Sequence, residues 1–329
     1  MPKIFFDSKE IPIKIGQSIL DAMIEFDCQP IYSCKKGVCQ TCLLKSNDSQ
    51  INSAQLDIKD TLKAQGYFLA CQCYPQENIK VSIIENSDID MDATLLSKTY
   101  ISSEIAILKL ALTIKNTVFM KPGQFISLTS EIKIPRSYSI ANNPEKDKCV
   151  ELHIQKVKHG KMSQYLYDKS KIGDRFKIRG PFGSCVYLEN SINDSLILIG
   201  TGTGLAPLIG IIKQALNNHH QGTITLFHGS RYLEGLYLHD YLKSLALKNQ
   251  NFNYYPCLSG EVSQELNDDI FFMGRVNKIA MSKIKQFNDT KFYLCGHPEM
   301  VKNMKKILYL SGADLNNINA DPFEYTNYS

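Results

Sequence analysis

Three cysteines stand close together in Cys34-Lys35-Lys36-Gly37-Val38-Cys39-Gln40-Thr41-Cys42, spaced C-x4-C-x2-C. A loop of that length can wrap its backbone around a small inorganic core and aim three thiolates at it. A fourth must come from elsewhere, and Leu69-Ala70-Cys71-Gln72-Cys73 offers two candidates. Structural zinc usually takes two C-x2-C pairs or a mixture of cysteine and histidine. Here a single C-x2-C carries its third cysteine upstream, and no histidine precedes His153. The spacing is that of plant-type [2Fe–2S] ligation.

A one-electron centre needs a source of electrons, and later stretches supply parts of one. Gly200-Thr201-Gly202-Thr203-Gly204-Leu205-Ala206-Pro207 joins an apolar strand pattern to a helical one. Glycines there let the backbone approach a ligand, and the free amides at a helix start favour a pyrophosphate. Neither G-x-G-x-x-G nor a P-loop is present, since Leu205 stands where the third glycine would fall and no Gly-Lys-Ser/Thr follows. In Arg136-Ser137-Tyr138-Ser139 an arginine can meet a diphosphate, an aromatic face a flat ring, and a hydroxyl a ring nitrogen. A surface Arg and a half-buried Tyr on an ordinary strand give the same letters. Gly160-Lys161-Met162-Ser163, at the start of a helical pattern, has the make-up of a phosphate-binding turn.

The elements that must position these residues fall into three blocks. Residues 3–6 and 11–15 read as a hairpin. Ser18 then caps an amphipathic helix, with Asp21 at the capping-box acid position and apolar residues at 19, 20, 23, 24 and 26. Strands at 42–46 and 79–84 and a short helix at 59–65 complete a small β-grasp pattern over residues 1–88. The acidic stretch 85–92 reads as a linker. From 93 to 189, short strands (105–114, 124–129, 137–141, 151–157, 175–179) alternate with turns such as Gly180-Pro181-Phe182-Gly183. Only 161–167 looks helical, which predicts an antiparallel β-barrel. From 190 to 329, strands at 195–199, 223–228 and 291–295 alternate with helices at 207–217, 236–247, 276–287 and 298–311, the pattern of a parallel α/β sheet.

Composition agrees with such a chain. At 329 residues, 43% of them hydrophobic, it can form two or three domains. The net charge of +4 is spread without a basic tract, which argues against nucleic acid. No apolar run approaches the roughly 18 residues of a membrane span and the first residues form no signal peptide, so a cytoplasmic location without membrane insertion is expected. Of the ten cysteines, the clustered ones in that setting point to metal ligation rather than disulfides, and the six others (Cys28, Cys73, Cys149, Cys185, Cys257, Cys295) read mostly as small buried apolar residues, Cys295 excepted.

Taken in order, the cysteine loop, R-x-Y-S, G-x-x-S, G-P-F-G, G-T-G-x-A-P and Cys295-Gly296-His297-Pro298 resemble the ferredoxin–NADP⁺ reductase superfamily. More narrowly they resemble bacterial oxygenase-type reductases with an N-terminal plant-type ferredoxin domain, such as those serving phenol, toluene, benzoate and methane oxygenases, and CDP-6-deoxy-glucoseen reductase. The resemblance runs through Ala320-Asp321-Pro322-Phe323. It implies a multidomain α+β and α/β fold: a β-grasp ferredoxin domain, an antiparallel β-barrel that binds FAD, and a parallel-sheet domain for NADH or NADPH. It implies Cys34, Cys39, Cys42 and Cys71 as cluster ligands, Cys71 rather than Cys73 because it fills an L-[AS]-C-Q position. Arg136, Gly160 and Ser163 are implied at the FAD diphosphate, Tyr138 against the isoalloxazine, and Ser139 at its reactive nitrogen. Thr201, Gly202, Thr203, Gly204 and Pro207 would receive the nicotinamide nucleotide. Cys295 would lie near the nicotinamide, and Phe323 would shield the flavin. Gln40 stands where the family often has glycine. Ser230 and Arg231 can bind a 2′-phosphate, yet an Arg there also serves NADH-using relatives, and the oxygenase-reductase resemblance favours NADH.

The activity implied is electron transfer from NAD(P)H through FAD and the cluster to a redox partner protein, a terminal oxygenase or another acceptor. The alternatives are a self-contained NAD(P)H–flavin or quinone reductase, and a redox-sensing module whose cluster gates binding. The other histidines, among them His153, His219, His220, His228 and His239, are assigned to surface or packing.

Overall fold

The computed structural model describes every residue except 29, 33, 57, 59–62, 64, 83–89, 114–119, 190–191, 261–270 and 324–329. In the first unit, β1 (Lys3–Phe6) and β2 (Lys9–Pro12) form the expected hairpin, but the return strand begins at Lys9, not at residue 11. The left-handed Asp7 (φ 51°) makes the turn that tight. Helix α1 (Ile19–Glu25) starts as expected: the Ser18 hydroxyl accepts the Asp21 N–H at 3.1 Å and donates to the Asp21 carboxylate at 2.8 Å. Its apolar face buries Ile19, Leu20, Ala22 and Met23, the three larger side chains contributing about 1.5–3 kcal/mol each. Strands β3 (Leu43–Lys45) and β4 (Tyr67–Leu69) pair antiparallel, and β5 (Ile79–Val81) runs parallel to β1. The helix expected at 59–65 lies mostly outside the described residues. A 3-10 turn at Ser49–Gln55, capped by Asp48, was not anticipated.

The second unit is a six-stranded antiparallel sheet made of β6 (Asp90–Tyr100), β7 (Ile105–Thr113), β8 (Phe125–Thr129), β9 (Arg136–Ser139), β10 (Val150–Gln155) and β11 (Arg175–Phe182). Its order is β10-β7-β6-β11-β8-β9, and a bridge between Ile140 and Leu152 brings its two edges together as a barrel. Two expectations are corrected here. Residues 90–92, read as linker, are strand: Asp92, Met91 and Asp90 pair with Lys177, Ile178 and Arg179. The second unit therefore begins before residue 93. A second helical turn also exists, α2 (Pro144–Asp147), capped by the Asn143 side chain. The expected helix at 161–167 is α3 (Lys161–Gln164), continued by a wider π turn to Lys169.

The third unit is an all-parallel sheet in the order β15-β14-β13-β12-β16-β17. Its strands are β12 (Ser195–Thr201), β13 (Ile224–Ser230), β14 (Phe252–Leu258), β15 (Phe272–Met273), β16 (Thr290–Gly296) and β17 (Ile318–Pro322). Its helices are α4 (Leu205–Asn217), α5 (His239–Lys248), α6 (Val276–Lys283) and α7 (Pro298–Leu310). Strands β14, β15 and β17 were not singled out in the sequence, and α6 stops four residues short of 287. Strand β12 has β13 on one side and β16 on the other, so the chain order reverses there. Ligand crevices form at such a switch point, beyond the strands' carboxyl ends. Among the described residues, no helix is long and apolar enough to cross a membrane.

Candidate active site

The cysteine loop is shaped by its own amides. The N–H groups of Lys36 and Cys39 each donate to Cys34 Sγ at 3.3 Å, and the Cys34 N–H donates to Cys39 Sγ at 3.3 Å. Gly37, at φ 82°, lets the loop lie against Gln72: a Cβ there would come within 3.0 Å of the Gln72 side chain. Gln40 takes the left-handed conformation (φ 53°) that glycine adopts freely, so the turn is kept without the glycine. Among the described residues, no three His, Cys, Asp or Glu side chains converge on one metal-ion position. The thiols are free and fall into two neighbouring pairs, Cys34 beside Cys39 and Cys42 beside Cys71. Two pairs suit a two-iron core, each iron taking two thiolates.

The electrostatics follow the pairing. The Cys39 thiol, with the amides of Cys39, Lys36 and Val38, draws Cys34 down to about 5. The Cys42 thiol, the Gln72 side chain and the Gly37 amide draw Cys71 down to about 7. One sulfur of each pair is thus disposed to the thiolate form in which cysteine ligates metal. Cys73, two residues on, faces away, 3.8 Å from the Gln50 carbonyl, and burial pushes it up to about 12.

One cavity of about 530 Å³ joins all three units, a volume in the range of cofactor sites. Cys34 and Cys39 form one wall. Arg136, Tyr138 and Ser139 of β9, with Gly160 and Ser163, form the barrel wall, and Thr203 and Phe323 close it from the nucleotide side. The buried Ser137 hydroxyl, which also lines the cavity, has no hydrogen-bond partner. A buried orphan donor in a cavity that Arg136, Lys158 and Lys161 also line fits an anionic cofactor such as the FAD diphosphate. Ser163 serves its own turn, accepting from the Val157 N–H at 3.1 Å and donating to the Gly160 carbonyl at 3.1 Å. A Cβ on Gly160 would meet that hydroxyl, so the close turn depends on glycine.

The nucleotide loop rests on the end of β16. The Thr201 hydroxyl accepts the His297 N–H at 3.0 Å, Gly202 has φ 54°, and Pro207 is buried in the first turn of α4. Cys295 does not line the cavity: it is fully buried, its Sγ 3.8 Å from that of Cys185. Phe323 is anchored by its N–H to the Gly296 carbonyl at 2.8 Å, one residue beyond Cys295. Ser230 spends its hydroxyl on the Tyr232 carbonyl at 2.7 Å, and Arg231 lies over the Tyr232 ring at 5.2 Å.

Sequence reasoning missed several cavity residues. Asp321 lines the cavity beside Ser139, 182 positions away in the chain. Burial pushes its carboxyl from 3.8 up to about 7. His153 is neither a surface nor a simple packing residue: it lines the cavity, as does Gln155. The signal for both was the alternation Glu151-x-His153-x-Gln155, polar on one face of a strand whose other face is apolar. Lys158 and Lys161 were legible as a basic turn around Gly160.

Family models match all three units: a 2Fe-2S iron-sulfur cluster binding domain over residues 4–76, an oxidoreductase FAD-binding domain over 92–187 and an oxidoreductase NAD-binding domain over 198–306. The chain belongs to the ferredoxin-reductase class of flavin oxidoreductases, in the form that carries its own N-terminal [2Fe–2S] domain. It is 27% identical to the ferredoxin–NAD(P)⁺ reductase component of the naphthalene 1,2-dioxygenase system of Pseudomonas putida, with 96% of each chain covered. It is 29% identical to a phenol hydroxylase protein of Acinetobacter pittii, covering 88% of this chain and 85% of that one. A crystallographically solved Amycolatopsis reductase superposes with a TM-score of 0.69 at 26% identity, covering 98% of this chain and 99% of that one. The chain is an electron-transferring oxidoreductase that uses NAD(P)H, FAD and a [2Fe–2S] cluster.

Proposed function

We propose that the protein is the reductase component of an oxygenase system, passing electrons from NAD(P)H through FAD and the cluster to a terminal oxygenase. The observation that carries this reading is the shared cavity, whose walls include both β9 and Cys34 and Cys39. Flavin and cluster sites that adjoin let electrons pass between them inside one chain. When bound, FAD accepts a hydride and releases electrons one at a time to the cluster.

The chain's own residues divide the remaining work. Arg136, Lys158 and Lys161 would hold the diphosphate, Tyr138 would stack on the flavin ring, and Ser139 would meet its reactive nitrogen. Phe323, at the nucleotide-side wall of the cavity, would shield the flavin ring that nicotinamide must reach. The amides of Thr201 to Gly204 take the nucleotide's pyrophosphate. Cys34 and Cys39, at the cavity wall, together with Cys42 and Cys71 outside it, would hold the cluster. The Ser230 hydroxyl is engaged by the Tyr232 carbonyl and Arg231 lies over the Tyr232 ring, which supports NADH over NADPH. Ten free cysteines suit the reducing cytoplasm.

The test is NADH oxidation by the purified holoenzyme with candidate oxygenases at catalytic concentration. Acceleration by an oxygenase, with product formed, supports the reading. Equal turnover with free flavin or quinone alone, and none added by any oxygenase, would favour a self-contained reductase. No turnover with ferricyanide would favour a redox sensor.

A further inference from the structure

Strand β10 presents two different faces. Leu152 and Ile154 point into the barrel core, while Glu151, His153 and Gln155 point at the nucleotide-binding unit. Each of these three polar residues reaches a different element there. The Glu151 carboxylate faces Lys213 of α4 at 3.8 Å. His153 Nδ1 is 2.9 Å from the Tyr237 hydroxyl. Gln155 Oε1 accepts from the Thr203 hydroxyl at 3.5 Å.

The central link is the strongest and the most buried. His153 and Tyr237 are 5% and 4% exposed. His153 Nε2 lies 3.3 Å from Glu151, a carboxylate that only accepts, so the ring proton sits on Nε2. Nδ1 is then an acceptor, and Tyr237 must donate to it. On its far side the Tyr237 ring meets His228 edge-on at 5.8 Å between centroids, and His228 Nε2 lies 3.2 Å from the carbonyl of Gly202. A continuous buried path therefore runs from a wall of the flavin cavity to the nucleotide loop.

We infer that His153 and Tyr237 are positioning residues, which fix the nucleotide loop relative to the flavin cavity and so set the geometry of hydride transfer. Neither residue reacts. Their bond holds β10 and the Gly202 carbonyl in register, through His228, while Gln155 and Glu151 pin the same strand on either side. Transfer of a hydride between two rings held by different units depends steeply on their alignment, and a displacement near 1 Å can cost roughly a hundredfold. This inference rests on the assignment of residues 201–207 to the nucleotide.

The test is anaerobic reduction of the FAD-loaded, cluster-loaded holoenzyme by NADH, with Tyr237→Phe compared with wild type. The limiting rate of flavin reduction should fall roughly tenfold, with flavin content and cluster absorbance unchanged and apparent NADH affinity shifted far less. Amide exchange at Gly202 to Gly204, measured without nucleotide, should quicken. His153→Leu combined with Tyr237→Phe should be no slower than the worse single variant, because both remove one bond. Wild-type reduction rate and exchange in Tyr237→Phe, or losses that add in the double variant, would overturn the inference. If Tyr237→Phe does not fold, Lys213→Met cuts a neighbouring link, and the same two readouts decide. Failure of the underlying loop assignment would look different: NAD⁺ would then leave the wild-type amides at 202–204 unprotected.

Discussion

The Ser139 hydroxyl donates to the carboxylate of Asp321 at 3.3 Å, joining the end of barrel strand β9 to the end of β17 in the nucleotide-binding sheet. Burial raises the Asp321 pKa from 3.8 to about 7, while the Ser139 hydrogen bond pulls the other way. A carboxyl whose folded pKa lies above its unfolded value favours the fold most below about pH 4. That contribution is lost as pH climbs through about 7. Asp321→Asn should flatten the fall in melting temperature between pH 4 and 7. It should also remove an inflection near pH 7 in flavin reduction, since a charged Asp321 at the cavity wall opposes added negative charge on the flavin. An unchanged inflection in Asp321→Asn would assign it to another group.

Cys71 and Cys73 should separate cleanly on substitution. Cys71 is a free thiol beside Cys42 and near the Gly37 amide, while Cys73 contacts only the Gln50 carbonyl among the sulfur contacts described. Cys71→Ser should lose the visible absorption and paramagnetic signal of the cluster while FAD stays bound. Cys73→Ser should keep both. The reverse pattern would move the fourth ligand to Cys73.

Arg136 lines the cavity wall next to the orphaned Ser137 hydroxyl. Losing a charge-assisted hydrogen bond to an anion costs about 1.5–3 kcal/mol, which weakens binding roughly tenfold to a hundredfold. Arg136→Ala should purify with much less FAD and recover it at high free flavin. Full occupancy at low free flavin would remove Arg136 from the diphosphate site.

The strand assignment of Asp90 to Asp92 changes where the chain can be divided. A fragment of residues 93–329 removes backbone partners of Lys177 to Arg179 and should be unstable, whereas 90–329 keeps β6 whole. The longer fragment should bind FAD and oxidise NAD(P)H with ferricyanide but fail with cytochrome c, because it lacks the cluster. It also uncovers Phe125 and Phe182, which pack into the core of the first unit, so it should bind more of an apolar dye than the whole chain. Equal cytochrome c rates for fragment and whole protein would show that the cluster is not the exit.

Local chemistry was written in the sequence. Ser18 and Asp21 defined a helix start, the cysteine spacing defined a cluster loop, and Gly200 to Pro207 marked a strand-to-helix turn, because each depends on residues within a few positions of one another. The three-unit order followed from periodicity, which is also local. What the sequence could not carry was long-range proximity. Strands β14, β15 and β17 are stabilised by a neighbouring strand rather than by their own pattern, and residues 90–92 look like linker until β11 pairs with them. Asp321 beside Ser139, His153 beside Tyr237, Cys185 beside Cys295 and the cluster cysteines beside the flavin cavity are all brought together from distant parts of the chain, the first pair across 182 positions. Only the packing of the three units decided them, since burial and shape, not spacing, bring those side chains together.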